Sequence, residues 1–251
     1  MLKKLMKYEF LATYRYYAPI FAGILVMAGL NRLLMTISAN SSETSVGSGL
    51  TYLIYILLIL SLPIVTLVIS IWRYSKNLLE DEGYLMFTLP VTTNQLFFSK
   101  YFTTLIWEVA SFVIAVGSAF LIGFFQIPSL SNLFGVYLQP ILLILVILSI
   151  LAVLCASVFS LYTVVSLSYL LFKEHRILGL IVSYIIYSIV SNLLTILISA
   201  IIGSIFANII ADAEVATAYG SLISIILCYS VLGVLCYFFS HHCLTKKLNL
   251  Q

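Results

Sequence analysis

The chain has 251 residues, 63% of them hydrophobic and 8% charged, with a formal net charge of +3 at pH 7 and a mean hydropathy of +1.16. A soluble domain carries about 25% charged residues, so this composition excludes a water-facing globule and makes a lipid bilayer the expected partner. The small charge, with no basic run interleaved with aromatics, excludes nucleic acid.

The first element is an arm over residues 1–17. Leu2, Met6 and Phe10 fall in one row at helical spacing, with Lys3, Lys4 and Lys7 on the flank. That pattern predicts an amphipathic helix lying in the membrane interface. The apolar run at 18–38 reaches roughly twenty residues, the length of a transmembrane helix rather than of a cleaved signal's shorter core. Further runs follow at 50–72, 100–125, 138–172, 177–206 and 219–240. No internal repeat or low-complexity linker divides them. The expected fold is therefore all-α and integral to the membrane: one domain over 1–251, with six transmembrane helices preceded by an N-terminal interfacial helix.

Basic residues set the expected orientation, because Lys and Arg gather on the cytosolic side. Lys3, Lys4, Lys7 and Arg15 precede the first span. Arg73, Lys76 and Lys100 edge the loop between the second and third, Lys173 and Arg176 lie between the fourth and fifth, and Lys246 and Lys247 follow the sixth. Only Arg32, near the far end of the first span, departs from that face. The opposite loops carry Glu43, Asp212 and Glu214. Both termini and the 73–100 segment are expected in the cytosol.

Two runs exceed a plain crossing. Residues 138–172 would extend roughly 52 Å as a helix against a hydrocarbon core of about 30 Å, so that helix tilts strongly or projects beyond the membrane. Residues 177–210 overshoot likewise, which fits tilt or a short re-entrant or interfacial helix on the outer side over 200–218. Small residues recur every fourth position at Ser111, Ala115, Ala119 and Gly123, and at Ala152, Ala156 and Ser160. That spacing lets helix backbones approach closely in lipid, within one subunit or across a dimer seam.

The most informative cytosolic stretch is Arg73–Tyr101, RYSKNLLEDEGYLMFTLPVTTNQLFFSKY. Glu80, Asp81 and Glu82 are consecutive, and Gly83 behind them suits the residue just past a helix end. A new helix then has a start signal. Thr92 is the N-cap, Gln95 completes a T-x-x-Q capping box, and Val91 with Leu96 forms a hydrophobic staple. Pro90 prevents an earlier start. Between the two helices, Tyr84-Leu85-Met86-Phe87-Thr88-Leu89-Pro90 is apolar and aromatic where a bare connector would be short and polar. Such a knob docks on a partner surface or folds back onto the headgroups.

The run K-N-L-L-E-D-E-G-Y-L-M-F-T-L-P-V resembles the segment after the second span in bacterial ATP-binding-cassette permeases of the type-2 exporter class. The arm, Leu2-Lys3-Lys4-Leu5-Met6-Lys7-Tyr8-Glu9-Phe10 with Ala12-Thr13 and Arg15, is similar to theirs too. The resemblance covers the whole chain in layout and is specific over residues 2–15 and 76–91. It implies a coupling helix between spans two and three that docks on a separate ATPase subunit, with Glu80, Asp81, Glu82, Gly83, Tyr84, Phe87 and Pro90 as contact positions. It also implies a re-entrant outer hairpin before the last span, which the length of 200–218 would match. The implied protein is the permease subunit of an exporter in the bacterial plasma membrane, working with a second copy or a sister permease. Relatives are associated with peptides, drugs and lipids alike, so no cargo follows.

The chain has no G-x-x-x-x-G-K-[ST] and no Gly-Lys pair, so it lacks a phosphate-binding loop and reads as a non-enzyme. ATP and Mg²⁺ would be bound by the partner ATPase, leaving no cofactor here. Cys155, Cys228, Cys236 and Cys243 form no C-x-x-C pair and predict neither a disulfide framework nor a zinc site. H-E-x-x-H is absent, and His175, His241 and His242 sit at expected interface edges. Asn40-Ser41-Ser42 fits a glycosylation sequon but reads as a polar outer loop in a chain of bacterial character. Glu108 is the one acid well inside a span, roughly 12 Å along the helix from Lys100. It is either a structural hydrogen-bonding group or part of a translocation or gating path, with Trp107 marking the interfacial belt beside it. Two rival functions stay open: an ion-coupled secondary transporter or channel using Glu108, and a non-transporting immunity or sensor subunit.

Overall fold

The computed structural model describes residues 2–38, 46–76, 92–123, 140–172, 175–209 and 213–243. Among them the chain is all-helical, as expected: α1 Leu2–Ser38, α2 Val46–Tyr74, α3 Thr93–Ile122, α4 Pro140–Leu171, α5 Arg176–Ile209 and α6 Ala213–His242. All six are long and apolar enough to cross a membrane.

The distribution of side chains identifies the solvent. Buried positions include Asn31, Thr13, Thr66, Ser118, Ser149, Ser166 and Ser183, whereas Val113, Ile144 and Ile196 are 60%, 62% and 64% exposed. In water this would leave extended apolar surface uncovered. In lipid it is the favoured arrangement, because helices there associate through small residues and hydrogen bonds while large apolar groups meet the acyl chains. Several of the buried hydroxyls are satisfied within their own helix, while those of Ser111 and Ser183 have no hydrogen-bond partner among the described residues. Ser118, Ser149 and Ser168 donate to carbonyls three residues back at 2.9, 2.8 and 2.7 Å, the back-bonding that small hydroxyl residues allow in helices. The chain is a multi-pass membrane protein.

Helix lengths refine the sequence boundaries. The arm and first span are one 37-residue helix that passes through Pro19, which spanning helices accommodate by local readjustment. At 1.5 Å per residue, the 32 residues of α4 extend roughly 48 Å and the 34 residues of α5 roughly 51 Å. Residues 200–209 complete α5 and 213–218 open α6, with 210–212 outside the described residues. Over their described ranges α4 and α5 are each one uninterrupted helix.

Contacts divide the chain into two compact units, Met1–Ile69 with Phe102–Val136, and Ser70–Tyr101 with Tyr137–Gln251. In the first, Ile24, Ala28, Tyr55, Leu62 and Ile122 form a shared core with Ala115 packed against it. The small-residue stripe of the third span therefore faces a neighbour in its own unit. Asn31 donates to the Thr51 carbonyl at 3.2 Å and accepts from the Thr51 hydroxyl at 3.0 Å. Tyr55 shares a 3.0 Å hydrogen bond with Ser118. Late α1 thus meets early α2 and, through Arg32 and the Ile122 carbonyl at 3.4 Å, late α3. The three helices run up, down and up. Arg32, the one exception to the charge pattern, sits where a cation is favoured, at the carbonyl end of a helix. Gly123, with φ 85°, closes that end in the left-handed conformation glycine tolerates.

In the second unit α4, α5 and α6 pack on one another. Ala156 lies opposite Gly233, and Thr163 donates to the Cys236 carbonyl at 3.1 Å, so α4 and α6 run parallel. The second small-residue stripe is thus also an internal contact. Thr195 meets Cys228 at 3.3 Å and Phe206 lies against Gly220, which makes α5 antiparallel to α6. The tightest approach is at Gly179, where a Cβ would stand 3.0 Å from the Ser168 carbonyl oxygen and 3.2 Å from the Phe172 Cβ. Backbone cannot yield as a side chain can. Gly179→Ala is expected to destabilise the α4–α5 hairpin by about 1–3 kcal/mol, read as a lower melting temperature in detergent. Gly203→Ala, with nothing within 4 Å, is expected to be neutral or slightly stabilising.

Candidate functional site

The residues predicted to couple the chain to a partner, Glu80, Asp81, Glu82, Gly83, Tyr84, Phe87 and Pro90, lie outside the described residues, as does Val91 of the staple. Both shoulders of that segment are described. On the far side the helix starts as its sequence predicts. The Gln95 N–H meets the Thr92 hydroxyl at 3.4 Å and the Thr92 carbonyl at 2.9 Å, and the Leu96 N–H meets the same carbonyl at 3.2 Å. Thr92 is the N-cap, and α3 begins at Thr93.

The shoulders are held by aromatic rings. Tyr74, at the end of α2, is fully buried, stacks on Tyr162 of α4 at 4.2 Å and 13°, and shares a 2.9 Å hydrogen bond with Ser166. Phe97, in the first turns of α3, meets Tyr162 edge-on at 5.6 Å and Tyr237 of α6 at 5.8 Å. One turn later Tyr101 stacks on Phe159 at 4.0 Å and 15°, and its hydroxyl donates to the Cys155 carbonyl at 3.3 Å. Phe98 lies over Tyr237 at 5.5 Å. Seven rings from four helices make one continuous cluster. Each such pair contributes about 0.5–1.5 kcal/mol beyond its buried area, so the cluster fixes the chain on either side of 77–91 to α4 and α6.

None of these rings was singled out from the sequence. The available signal was spacing: Phe97 with Tyr101 at i, i+4 and Phe159 with Tyr162 at i, i+3 each present two rings on one helix face.

Glu108 is half-buried on α3 next to Trp107. Trp107 itself is more than a belt residue. Its ring lies between Phe10 at 4.6 Å and Tyr17 at 4.3 Å, both nearly parallel to it, and its indole N–H donates to the Thr13 hydroxyl at 2.8 Å. The Thr13 hydroxyl in turn reaches the Glu9 and Phe10 carbonyls at 2.9 and 3.0 Å. One indole thus pins the early turns of α1 to α3.

Among the described residues no cluster of three His, Cys, Asp or Glu side chains is placed to hold a metal ion, and the four cysteines are free thiols. No family model, curated protein or solved structure matches the chain.

Proposed function

We propose that the chain is the transmembrane subunit of an ATP-driven exporter of the ATP-binding-cassette class, and that its 73–100 segment is the coupling element for a separate ATPase. The observation that carries this reading is the ring cluster holding both shoulders of that segment. A loop that merely joined two spans would gain nothing from having both ends locked to other helices. A lever would, because a push at its tip reaches α4 and α6 as a rigid-body displacement instead of dissipating in slack backbone.

In this reading Glu80, Asp81, Glu82, Gly83, Tyr84, Phe87 and Pro90 are the contact positions for the ATPase. The charge pattern supports a cytosolic segment and cytosolic termini, and the resemblance to bacterial permeases supports a plasma-membrane setting. The early turns of α1 run along the interface, with lysines toward headgroups. A second copy or a sister permease completes the pathway, and ATP and Mg²⁺ belong to the ATPase.

The test is co-purification with the ATPase, followed by permease-stimulated ATP hydrolysis. Truncating a central aromatic anchor costs about 2 kcal/mol or more, so Phe87→Ala is expected to weaken association by about thirtyfold or more. Gly83→Pro is expected to abolish stimulation. Full association and stimulation in both variants, each folded and membrane-inserted, would remove the coupling role.

A further inference from the structure

Within the first unit, the early turns of α1 and the adjoining stretch of α3 enclose an open groove of about 300 Å³. Its walls are Met6, Phe10 and Leu11 of α1 and Ile106 of α3, and Lys3 and Lys7 line the same groove. The two lysines are exposed and one helical turn apart, so their ammonium groups fall on one side of α1. Lys4 is exposed beside them, and Glu9, the one acid in residues 2–15, is buried.

The groove therefore has two chemistries in sequence along α1, a pair of cations at its N-terminal end and an apolar trough beyond. A soluble phosphate would use only the first and a neutral lipid only the second. An anionic phospholipid uses both, since basic pockets between spanning helices on the cytosolic side attract anionic headgroups. We propose that this groove is a binding site for an anionic phospholipid, its phosphate between Lys3 and Lys7 and one acyl chain along Met6, Phe10 and Ile106. The site rests on the reading of the chain as a membrane protein and not on the ATPase. Phe10 forms one wall of the groove and also stacks on Trp107, so a bound lipid buttresses the contact that pins α1 to α3.

The experiment is native mass spectrometry of the full chain in detergent, titrated with phosphatidylglycerol or phosphatidylcholine, with melting temperature followed in parallel. Phosphatidylglycerol is expected to be retained at least about tenfold better and to raise the melting temperature. The double variant Lys3→Gln/Lys7→Gln, which alters exposed residues only, is expected to lose that preference. Lys4→Gln, outside the groove lining, is expected to keep it, and Ile106→Trp is expected to block the trough with both lysines intact.

Equal retention of the two lipids would overturn the site. So would an equal loss in Lys4→Gln, which marks generic surface attraction, or displacement by inorganic phosphate at the lipid's own concentration, which marks a phosphate site. A chain that stays dispersed in water without detergent would instead remove the membrane reading beneath it.

Discussion

Tyr74→Ala is expected to cost about 2–4 kcal/mol of stability and to uncouple the protein, whereas Tyr74→Phe is expected to do little of either. The alanine variant removes a ring that is 1% exposed, its stack on Tyr162, and the phenol that meets the fully buried Ser166 hydroxyl. The cost is mainly cavity and lost contact, because in a lipid-solvated bundle the unfavourable transfer of apolar surface to water is small. Phenylalanine keeps the stack and loses one interhelical hydrogen bond, about 0.5–1.5 kcal/mol in a membrane bundle. Thermal unfolding in detergent reads the first quantity and permease-stimulated ATP hydrolysis the second. If the alanine variant destabilises the protein yet stimulates the ATPase normally, the ring cluster is scaffolding and not a lever.

Trp107→Ala is the second large effect, expected at about 3 kcal/mol or more. The indole is stacked on both faces and hydrogen-bonded at its one polar atom, so no smaller side chain replaces all three contacts. Trp107→Phe retains stacking and gives up the Thr13 contact, for about 1 kcal/mol. Hydrogen exchange over residues 3–17 separates packing from membrane adsorption, because amides held only by the α1–α3 contact exchange faster once it is gone. Unchanged protection in Trp107→Ala would mean that the bilayer alone orders this stretch.

The spans were legible because each is a long apolar run, a signal that depends on local composition and on no tertiary partner. The start of α3 was legible for a similar reason: Thr92 takes up N–H groups of the first turn through its own hydroxyl and carbonyl, a solution local to the sequence. Arg32 shows where that reasoning stops. Against the charge pattern it looked anomalous, and only its reach to the Ile122 carbonyl, ninety residues away, explains it. The ring cluster failed to show for the same reason, since Tyr74 meets Tyr162 and Phe97 meets Tyr237 across separations that no local pattern encodes. The small-residue stripes lay between these cases. Their spacing announced close packing, but Ala115 and Ala156 found their partners only in the fold. The change from amphipathic to uniformly apolar near residue 18 marks a change in the surroundings of α1, and the helix itself runs on through it.

The most direct test of the central claim is transport into inverted membrane vesicles from cells expressing the chain with its ATPase, assayed against a panel of peptides and lipids. The account predicts that at least one member accumulates when ATP is supplied, that uncouplers leave the accumulation intact, that Phe87→Ala reduces it and that Gly83→Pro abolishes it. Accumulation that proceeds without ATP and collapses with the proton gradient would contradict it.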